Sequence, residues 1–244
     1  MNILVKIGAF IVGFSGIFWF IHMSEYYNTK ILVTDPGGML MFYSAIGTIF
    51  SIIAAFAIQN EWANWNSLVE AVKSEVDSIE EFWIWTEHLQ NDFSKKIKQL
   101  IIAYLNVVIK EGWGKSERGE RSEDAEKALA NLRDVLFEFP KSDPQLVSLF
   151  SDLLKNRKNR LHFSDRHMPK VLRYTLIFSM SLIIFLPLLI GIKIIWLDYV
   201  FTLSIATLAY TIYVVIIDLD SPLKPGGWHL TTKDYKDLIT RMSK

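Results

Sequence analysis

The feature that most constrains this chain is a run without a charged residue at positions 38–58, which reads GMLMFYSAIGTIFSIIAAFAI. A helix of about 20 apolar residues is long enough to cross the hydrocarbon core of a bilayer, which is roughly 30 Å thick. In a soluble protein, a helix that is apolar on all sides would have to be buried on all sides. The sequence therefore predicts a membrane-spanning helix at these positions.

Three further segments approach the same length and apolar character, at residues 3–23, 171–192 and 199–217. The first is longer than the apolar region of a cleaved signal peptide, and no small-residue cleavage site follows it, so we predict that it is retained. Pro187 lies inside the third segment, where a membrane helix tolerates a proline as a kink. The chain is thus predicted to have four transmembrane helices in two hairpins.

Lys and Arg are unevenly distributed around these segments. The loop within each hairpin carries a single basic residue, Lys30 or Lys193, whereas seven basic residues precede the third segment and five follow the fourth. Cytoplasmic flanks carry the excess of Lys and Arg in membrane proteins. Both termini and the central region are therefore predicted to be cytoplasmic.

The central region, residues 61–166, mixes polar and apolar side chains at the three- and four-residue steps of amphipathic helices. No Pro or Gly occurs between Gly47 and Gly112, so the second membrane helix is predicted to continue unbroken into this region. Further helices are predicted at 91–110, 122–139 and 143–165, the middle one with Ser122 in its N-terminal cap.

No strand-like alternation of useful length occurs, so the predicted fold class is all-α. The chain is expected to be an integral membrane protein whose two hairpins flank a cytosolic helical domain. The predicted divisions are a first hairpin (1–59), the cytosolic domain (60–168), a second hairpin (169–218) and a cytoplasmic tail (219–244).

The second membrane segment presents a stripe of side chains along one helical face, formed by Phe42, Ile46, Phe50, Ile53, Ala57 and Asn60. Several copies of such a helix around an axis would form a hydrophobic constriction that gates by dewetting. The other positions are rich in Ser, Thr, Gly and Ala, and small residues also serve simply to let membrane helices pack closely. The residues alone leave both interpretations open.

Two carboxylates, Asp218 and Asp220, lie in the sequence DLDSP at the end of the fourth segment. Loop carboxylates ligate Ca²⁺ and other hard cations, but Pro222 and the Pro and Gly residues after it also form an ordinary helix-terminating turn. A third interpretation pairs them with Arg157 and Arg160, which share one helical face before the third segment. Those arginines are equally explained as the basic flank of a membrane helix, or as a site for an anion or a lipid headgroup.

Several function classes lack their sequence signatures. Cysteine is absent, which excludes disulfides, thiolate metal sites and cysteine nucleophiles. The five histidines form no HExxH pattern, and the glycine motifs of nucleotide-binding proteins and hydrolases are missing. With a formal net charge of zero and no basic stripe interleaved with aromatics, nucleic acid is not an expected partner. We therefore predict no enzymatic activity, and a Ca²⁺ ion at Asp218 and Asp220 is the one cofactor that the residues leave open.

Four stretches, taken in order, resemble the bestrophin-like membrane proteins of bacteria, a group of unknown function. They are AFAIQNEWANWNSLVEAVKSEVDSIEEF, IAYLNVVIKEGW, NRKNRLHFSDRHMP and DLDSPLKPGG, in the part of the chain between positions 46 and 227. The group is similar in carrying R-x-x-R-L before a proline and an ending like D-x-D-x-P-x-x-G. The order and spacing of these motifs around four membrane segments carry the resemblance.

The resemblance to bestrophins implies a homo-oligomer, by analogy a pentamer, around a pathway for inorganic ions in the lipid bilayer. The second membrane helix would line a hydrophobic neck, with Phe50, Ile53 or Ala54, and Ile58 about one helical turn apart. An acidic cluster near the membrane binds Ca²⁺ in bestrophins, which again singles out Asp218 and Asp220. The Arg-rich stretch that follows the neck helix in bacterial bestrophins is replaced here by QNEW, which weighs against a preference for anions.

The expected function is therefore a bestrophin-like, homo-oligomeric ion channel or channel-like protein of a bacterial inner membrane, with its pore lined by the second transmembrane helix. The alternative is a non-conducting membrane scaffold or sensor whose cytosolic helices bind a protein partner.

Overall fold

The computed structural model describes residues 3–23, 36–89, 91–111, 122–138, 144–190 and 194–243. All regular secondary structure in these ranges is α-helical, which confirms the predicted all-α class. Lys30, Asp35 and Lys193, which belong to the predicted hairpin loops, lie outside the described residues. The helices are α1 (Ile3–Met23), α2 (Pro36–Glu87), α3 (Asn91–Glu111), α4 (Glu123–Glu138), α5 (Pro144–Ser164), α6 (Lys170–Ile190), α7 (Ile195–Leu219) and α8 (Lys233–Met242).

Four of the described helices are long and apolar enough to cross a membrane, judged by length and composition. They contain the stretches Ile3–Met23, Leu40–Glu87, Lys170–Leu188 and Ile195–Leu219. Each stretch overlaps a segment predicted from the sequence. α7 begins four residues earlier than predicted because the apolar residues from Ile195 onward contain no helix breaker.

α2 is a single helix of 52 residues, which confirms that the helix of the second apolar segment continues into the central region. This is more than twice the length that crosses a bilayer. After Gly47 no residue of α2 is a glycine or a proline, so nothing in its backbone chemistry interrupts the hydrogen-bond ladder.

The chain divides into two compact units. Unit 1 contains Met1–Trp62 and His167–Trp228, and unit 2 contains Ala63–Arg166 and His229–Lys244. In unit 1, α7 packs against both α1 and α6. The apolar core of unit 1 is formed mainly by aromatic and branched side chains, among them Phe14, Phe18, Phe50, Leu176, Ile183 and Ile216.

In unit 2, α3 packs against α4 and α8. The buried residues of α4 recur at three- and four-residue steps (Ala125, Leu129, Leu132, Val135, Leu136), as the amphipathic pattern predicted. The Ser122 hydroxyl accepts a hydrogen bond from the Ala125 N–H at 3.1 Å, which confirms the predicted N-terminal cap of α4.

α8 lies within the predicted cytoplasmic tail (219–244), for which the sequence patterns had predicted no helix. Its apolar face consists of Tyr235, Leu238 and Met242, all buried in unit 2. These three residues are spaced as on one face of a helix, and this spacing is the signal that could have revealed α8. At ten residues the helix is too short for that pattern to stand out beside the long apolar segments.

Candidate functional site

The apolar half of α2 has a covered side and an uncovered side within unit 1. Phe50, Ala54 and Ala57 are at most 4% exposed and belong to the apolar core of the unit. On the opposite side of the helix, Ile52 and Phe56 are 65% and 64% exposed. The chain therefore leaves a broad apolar face of α2 without a partner from its own described residues.

The seven predicted pore-lining residues fall mostly on the covered side. Phe42 is exposed. Ile46, Ile53 and Ile58 are partly buried and pack against the core. The other three, Phe50, Ala54 and Ala57, are inside it. The role of this stripe in a pore stays a prediction, and its centre faces the interior of its own unit.

The uncovered face of α2, as the term is used below, consists of exposed residues at three- and four-residue steps: Phe42, Ala45, Ile49, Ile52, Phe56 and Gln59. Two hydroxyls beside it are bonded to the carbonyls of their own helix, Thr48 to Ser44 at 2.9 Å and Ser51 to Gly47 at 2.8 Å. The same hydroxyls border a cavity of about 520 Å³ between α2, α6 and α7. Since these hydroxyls already have acceptors, the surface is effectively apolar.

The Glu75 carboxylate lies at the centre of a buried polar cluster in unit 2. Arg160 Nε donates to Glu75 Oε2, and the Tyr104 hydroxyl donates to Glu75 Oε1. The Tyr235 hydroxyl donates to Glu75 Oε2 at 3.1 Å. We call these four residues the Glu75 cluster. Through it, one carboxylate on α2 links α3, α5 and α8.

Burial and charge act together on the tyrosines of the Glu75 cluster. Burial raises the pKa of Tyr104 above its ordinary value, and the neighbouring Glu75 carboxylate raises it further. Burial likewise raises the pKa of Tyr235, against the opposing effect of Arg160. Burial is the largest single effect on Arg160 and lowers its pKa, but Glu75 together with Tyr235 and Tyr104 raises it by more in sum, so the net shift is upward. The cluster thus holds neutral phenols around one ion pair.

Arg157 has a different partner. Its Nη1 lies 2.9 Å from Glu126 Oε1 on α4, in an ion pair whose arginine is buried and whose glutamate is largely exposed. Arg157 and Arg160 both belong to unit 2, whereas Asp218 and Asp220 belong to unit 1. The partners described here for these four residues lie within their own units.

The Asp220 carboxylate lies against the beginning of α6. Oδ1 accepts the Met168 N–H at 2.5 Å, and Oδ2 is paired with the Arg173 guanidinium. A carboxylate at this end of a helix is stabilised by the exposed N–H groups and the helix dipole. Asp220 therefore joins the end of α7 to the start of α6.

The Asp218 carboxylate closes the loop that follows α7. Oδ2 accepts the N–H groups of Gly227 and Trp228 at 2.7 and 3.1 Å. A side chain at Gly226 would overlap the carboxylate, since a Cβ there would lie 2.7 Å from Asp218 Cγ. The glycine in this turn is therefore required by the close approach of Asp218.

These contacts do not fit a Ca²⁺ ion at Asp218 and Asp220. Calcium takes six to eight oxygen ligands, but the contacts described for these two carboxylates are with N–H groups and a guanidinium. Within the described ranges, no group of three or more His, Asp or Glu side chains is placed to hold a metal. The geometry favours the turn interpretation, with Asp220 paired to Arg173 and not to the predicted Arg157 or Arg160, whose ion pairs are with Glu126 and Glu75. We assign Ca²⁺ no step.

Glu75, Tyr104 and Tyr235 were not singled out from the sequence. Glu75 lies on the buried face of α2, at helical spacing from Val72 and Ile79, which are both buried. A charged residue at an inward position of an amphipathic helix is the available signal, because an acidic side chain is almost never buried without a partner. The identity of the partner could not be read from spacing.

Comparisons with known proteins agree with this architecture. A family model described as a Bestrophin-like domain matches residues 8–224. Two crystal structures of a bacterial bestrophin homologue from Klebsiella pneumoniae, each of a point mutant, have the same fold. One gives a TM-score of 0.72 at 9% identity and covers 99% of both chains. The other gives 0.69 at 11% identity and covers 98% of this chain and 97% of that one.

No curated protein matches the chain with significance. The match to the family model extends over most of the sequence. It includes α2, three members of the Glu75 cluster (Glu75, Tyr104 and Arg160), and Asp218 and Asp220 at the end of α7. The chain belongs to the Bestrophin-like family.

Proposed function

We propose that this chain assembles with copies of itself into a channel-like membrane protein, with the uncovered face of α2 bordering the ion pathway. The observation that carries the proposal is that face, since an apolar surface of this extent needs a lipid, a neighbouring subunit or a pore against it. Family membership supports the choice, because bestrophins surround an ion pathway with their second membrane helix. No catalytic role is proposed.

In this proposal α1 and α2 form one membrane hairpin, and α6 and α7 form the other. The basic residues at the start of α6, Lys170 and Arg173, and those of α8 mark the cytoplasmic side. Both termini are then cytoplasmic, and the membrane is the inner membrane of a bacterium. The helices of unit 2 form the cytosolic part.

The uncovered face supplies side chains for a constriction. Ile49, Ile52 and Phe56 are all more than half exposed and lie within two helical turns of one another. A ring of such side chains around an axis repels water when narrow and admits ions when it widens. Among the residues predicted from the sequence, Phe42 lies on this face, and the covered residues Phe50, Ala54 and Ala57 would support it from behind.

Reconstitution of the purified chain in liposomes tests the proposal. We expect a flux of small inorganic ions that depends on protein, and particles that are rings with a central opening. A monomer with a filled bundle, or no flux across varied ions, pH and Ca²⁺ concentration, would contradict it. Symmetric particles without flux would instead favour the scaffold or sensor, whose cytosolic helices bind a protein partner.

A further inference from the structure

The cavity of about 520 Å³ in unit 1 runs along the helices that enclose it. Its α2 wall extends from Tyr43 to Ile52, and its α7 wall extends from Ile205 to Ile212. With a helical rise of about 1.5 Å per residue, the α2 wall is about 13 Å long. Pockets that hold small organic ligands have volumes of roughly 300–1,000 Å³. The cavity is therefore a slot along the helix axes that is large enough for a ligand.

Most of the polar groups on the wall of this cavity are bonded within the protein. Among the described residues four hydroxyls line it, and three of them have acceptors. Thr48 and Ser51 donate to carbonyls of α2, and Tyr43 donates to the carbonyl of Ile183 on α6 at 3.4 Å. Pro187 has no N–H to donate to that carbonyl, four residues before it, so Tyr43 supplies a donor that α6 lacks.

Such a wall favours an apolar occupant over water. A water molecule in a protein cavity needs two to four polar partners, whereas most of the hydroxyls here are already bonded. The other lining residues, apart from Ser44, are glycine, alanine, phenylalanine, leucine and isoleucine. An empty slot forfeits dispersion contacts along these side chains, and a hydrocarbon chain would restore them.

The cavity has a buried side and an open side. Phe50 and Ala209 are at most 4% exposed, whereas Ile52 and Leu208 are 65% and 63% exposed. All of the lining residues belong to stretches that are long and apolar enough to cross a membrane. In a bilayer, the open side therefore faces the hydrocarbon core.

We propose that this cavity is a binding site for one acyl chain of a membrane lipid. The chain matches the wall in chemistry, because it brings only hydrocarbon to it. It also matches in direction, because bilayer chains and the slot both run along membrane-spanning helices. The source of the chain rests on the membrane insertion of α2, α6 and α7, which is part of the proposed function. Since Ile52 also belongs to the uncovered face of α2, the acyl chain would lie beside the proposed ion pathway.

Gly47 allows the cavity to be filled without a steric clash at Cβ. It lines the cavity, and a Cβ at this position would have no atom within 4 Å. Leucine is also a better helix former than glycine, so Gly47→Leu should keep or raise the Tm. Gly13→Leu on α1 is the matched control, since a Cβ there also has nothing within 4 Å and Gly13 does not line the cavity.

Photolabelling of the full chain in phosphatidylcholine liposomes tests the site. The probe is a phosphatidylcholine with a diazirine in the middle of one acyl chain, and mass spectrometry locates its adducts. We expect adducts on the α7 wall, at residues 205–212, in the wild type and in Gly13→Leu. In Gly47→Leu, their yield relative to that on the exposed Phe201 should fall about five-fold or more, because overpacking opposes binding.

A second pair of variants guards against a failure of Gly47→Leu to fold. Ser51→Leu fills the same cavity from another position. Ser204→Leu is its control, because both serines are exposed and bond to the carbonyl four residues back, at 2.8 and 2.6 Å. The labelling of the α7 wall should fall in Ser51→Leu and persist in Ser204→Leu.

Equal labelling ratios in the filled variants and their controls would overturn the proposal. An α7 wall without adducts in the wild type would also overturn it, and would favour a neighbouring copy of the chain as the occupant. Extraction of the same liposomes with alkaline carbonate separates this failure from that of the proposed function. Release of the chain would contradict both, whereas a chain that stays in the liposomes and fails the labelling test contradicts only the acyl-chain site.

Discussion

The Glu75 carboxylate and the Arg160 guanidinium form an ion pair inside unit 2, with 0% and 4% of their side chains exposed. Moving two charges out of water costs several kcal/mol per ion, and their mutual attraction offsets this only if the remaining lone pairs are also bonded. Two tyrosine hydroxyls, from Tyr104 and Tyr235, supply those bonds. The ion pair and the two phenols therefore stabilise the fold jointly, and the contribution of each residue depends on the presence of the others.

Removing one charge from this ion pair should destabilise the protein strongly. Arg160→Met leaves an uncompensated buried carboxylate, and we expect the free energy of unfolding to fall by about 3–5 kcal/mol. The exposed pair of Arg241 and Glu80, at 2.8 Å, is the control, because Arg241→Met should cost at most about 1 kcal/mol. Denaturant unfolding of the purified chain measures both. Equal losses in the two variants would contradict a special role for the buried pair.

The buried tyrosines should resist ionisation. Burial first, and then the Glu75 carboxylate, raise the pKa of Tyr104, and burial raises the pKa of Tyr235. In the unfolded chain both phenols ionise near pH 10. The neutral form is the one that the fold favours, so its stabilisation is complete below pH 10 and is lost as the pH rises beyond it.

Absorbance at 295 nm during an alkaline titration measures this effect. Two of the nine tyrosines should ionise only together with unfolding, and Tyr104→Phe should reduce that number by one. Ionisation of all tyrosines before any loss of helix would contradict the burial of Tyr104 and Tyr235 in the Glu75 cluster.

The sequence predicted the helices well because their causes are local. Long apolar runs with few charges predicted the four apolar segments. The lack of Pro and Gly after Gly47 predicted the unbroken length of α2, and Ser122 predicted the start of α4. Contacts distant in sequence were not predictable in this way. Glu75 lies 85 positions from Arg160, and only the packing of α2 against α5 and α8 decides which inward carboxylate meets which arginine.

The predicted pore-lining residues show a related limit to what helical spacing can predict. Helical spacing identifies residues that share a face, as it did for Phe50, Ile53 and Ala57, but it does not say which face the chain itself covers. The membrane part of α2 is apolar around its whole circumference, so hydrophobicity cannot distinguish a core-facing side from an outward-facing one. That distinction depends on where α6 and α7 pack, and it required the structure.

The turn after α7 should not tolerate a side chain at Gly226. A methyl group there would meet the Asp218 carboxylate, so Gly226→Ala must displace Asp218 from Gly227 and Trp228. We expect a loss of about 1–3 kcal/mol, as for other overpacked sites. Gly13→Ala on α1 is the control, since a Cβ there has nothing within 4 Å and alanine favours a helix. If Gly226→Ala is as stable as Gly13→Ala, Asp218 does not close this turn.

Substitutions on the uncovered side of α2 should change ion conduction, whereas substitutions on its covered side should change stability. Ile52→Ser and Phe56→Ser alter exposed side chains, so the Tm should change little, while ion flux through liposomes should rise several-fold because a polar ring wets more readily. Phe50→Ala removes a buried ring instead and should lower stability by about 3–5 kcal/mol. Its flux, scaled to folded protein, should stay closer to that of the wild type. A larger change of flux in Phe50→Ala than in Ile52→Ser would move the pathway to the side of α2 that faces Phe50, Ala54 and Ala57.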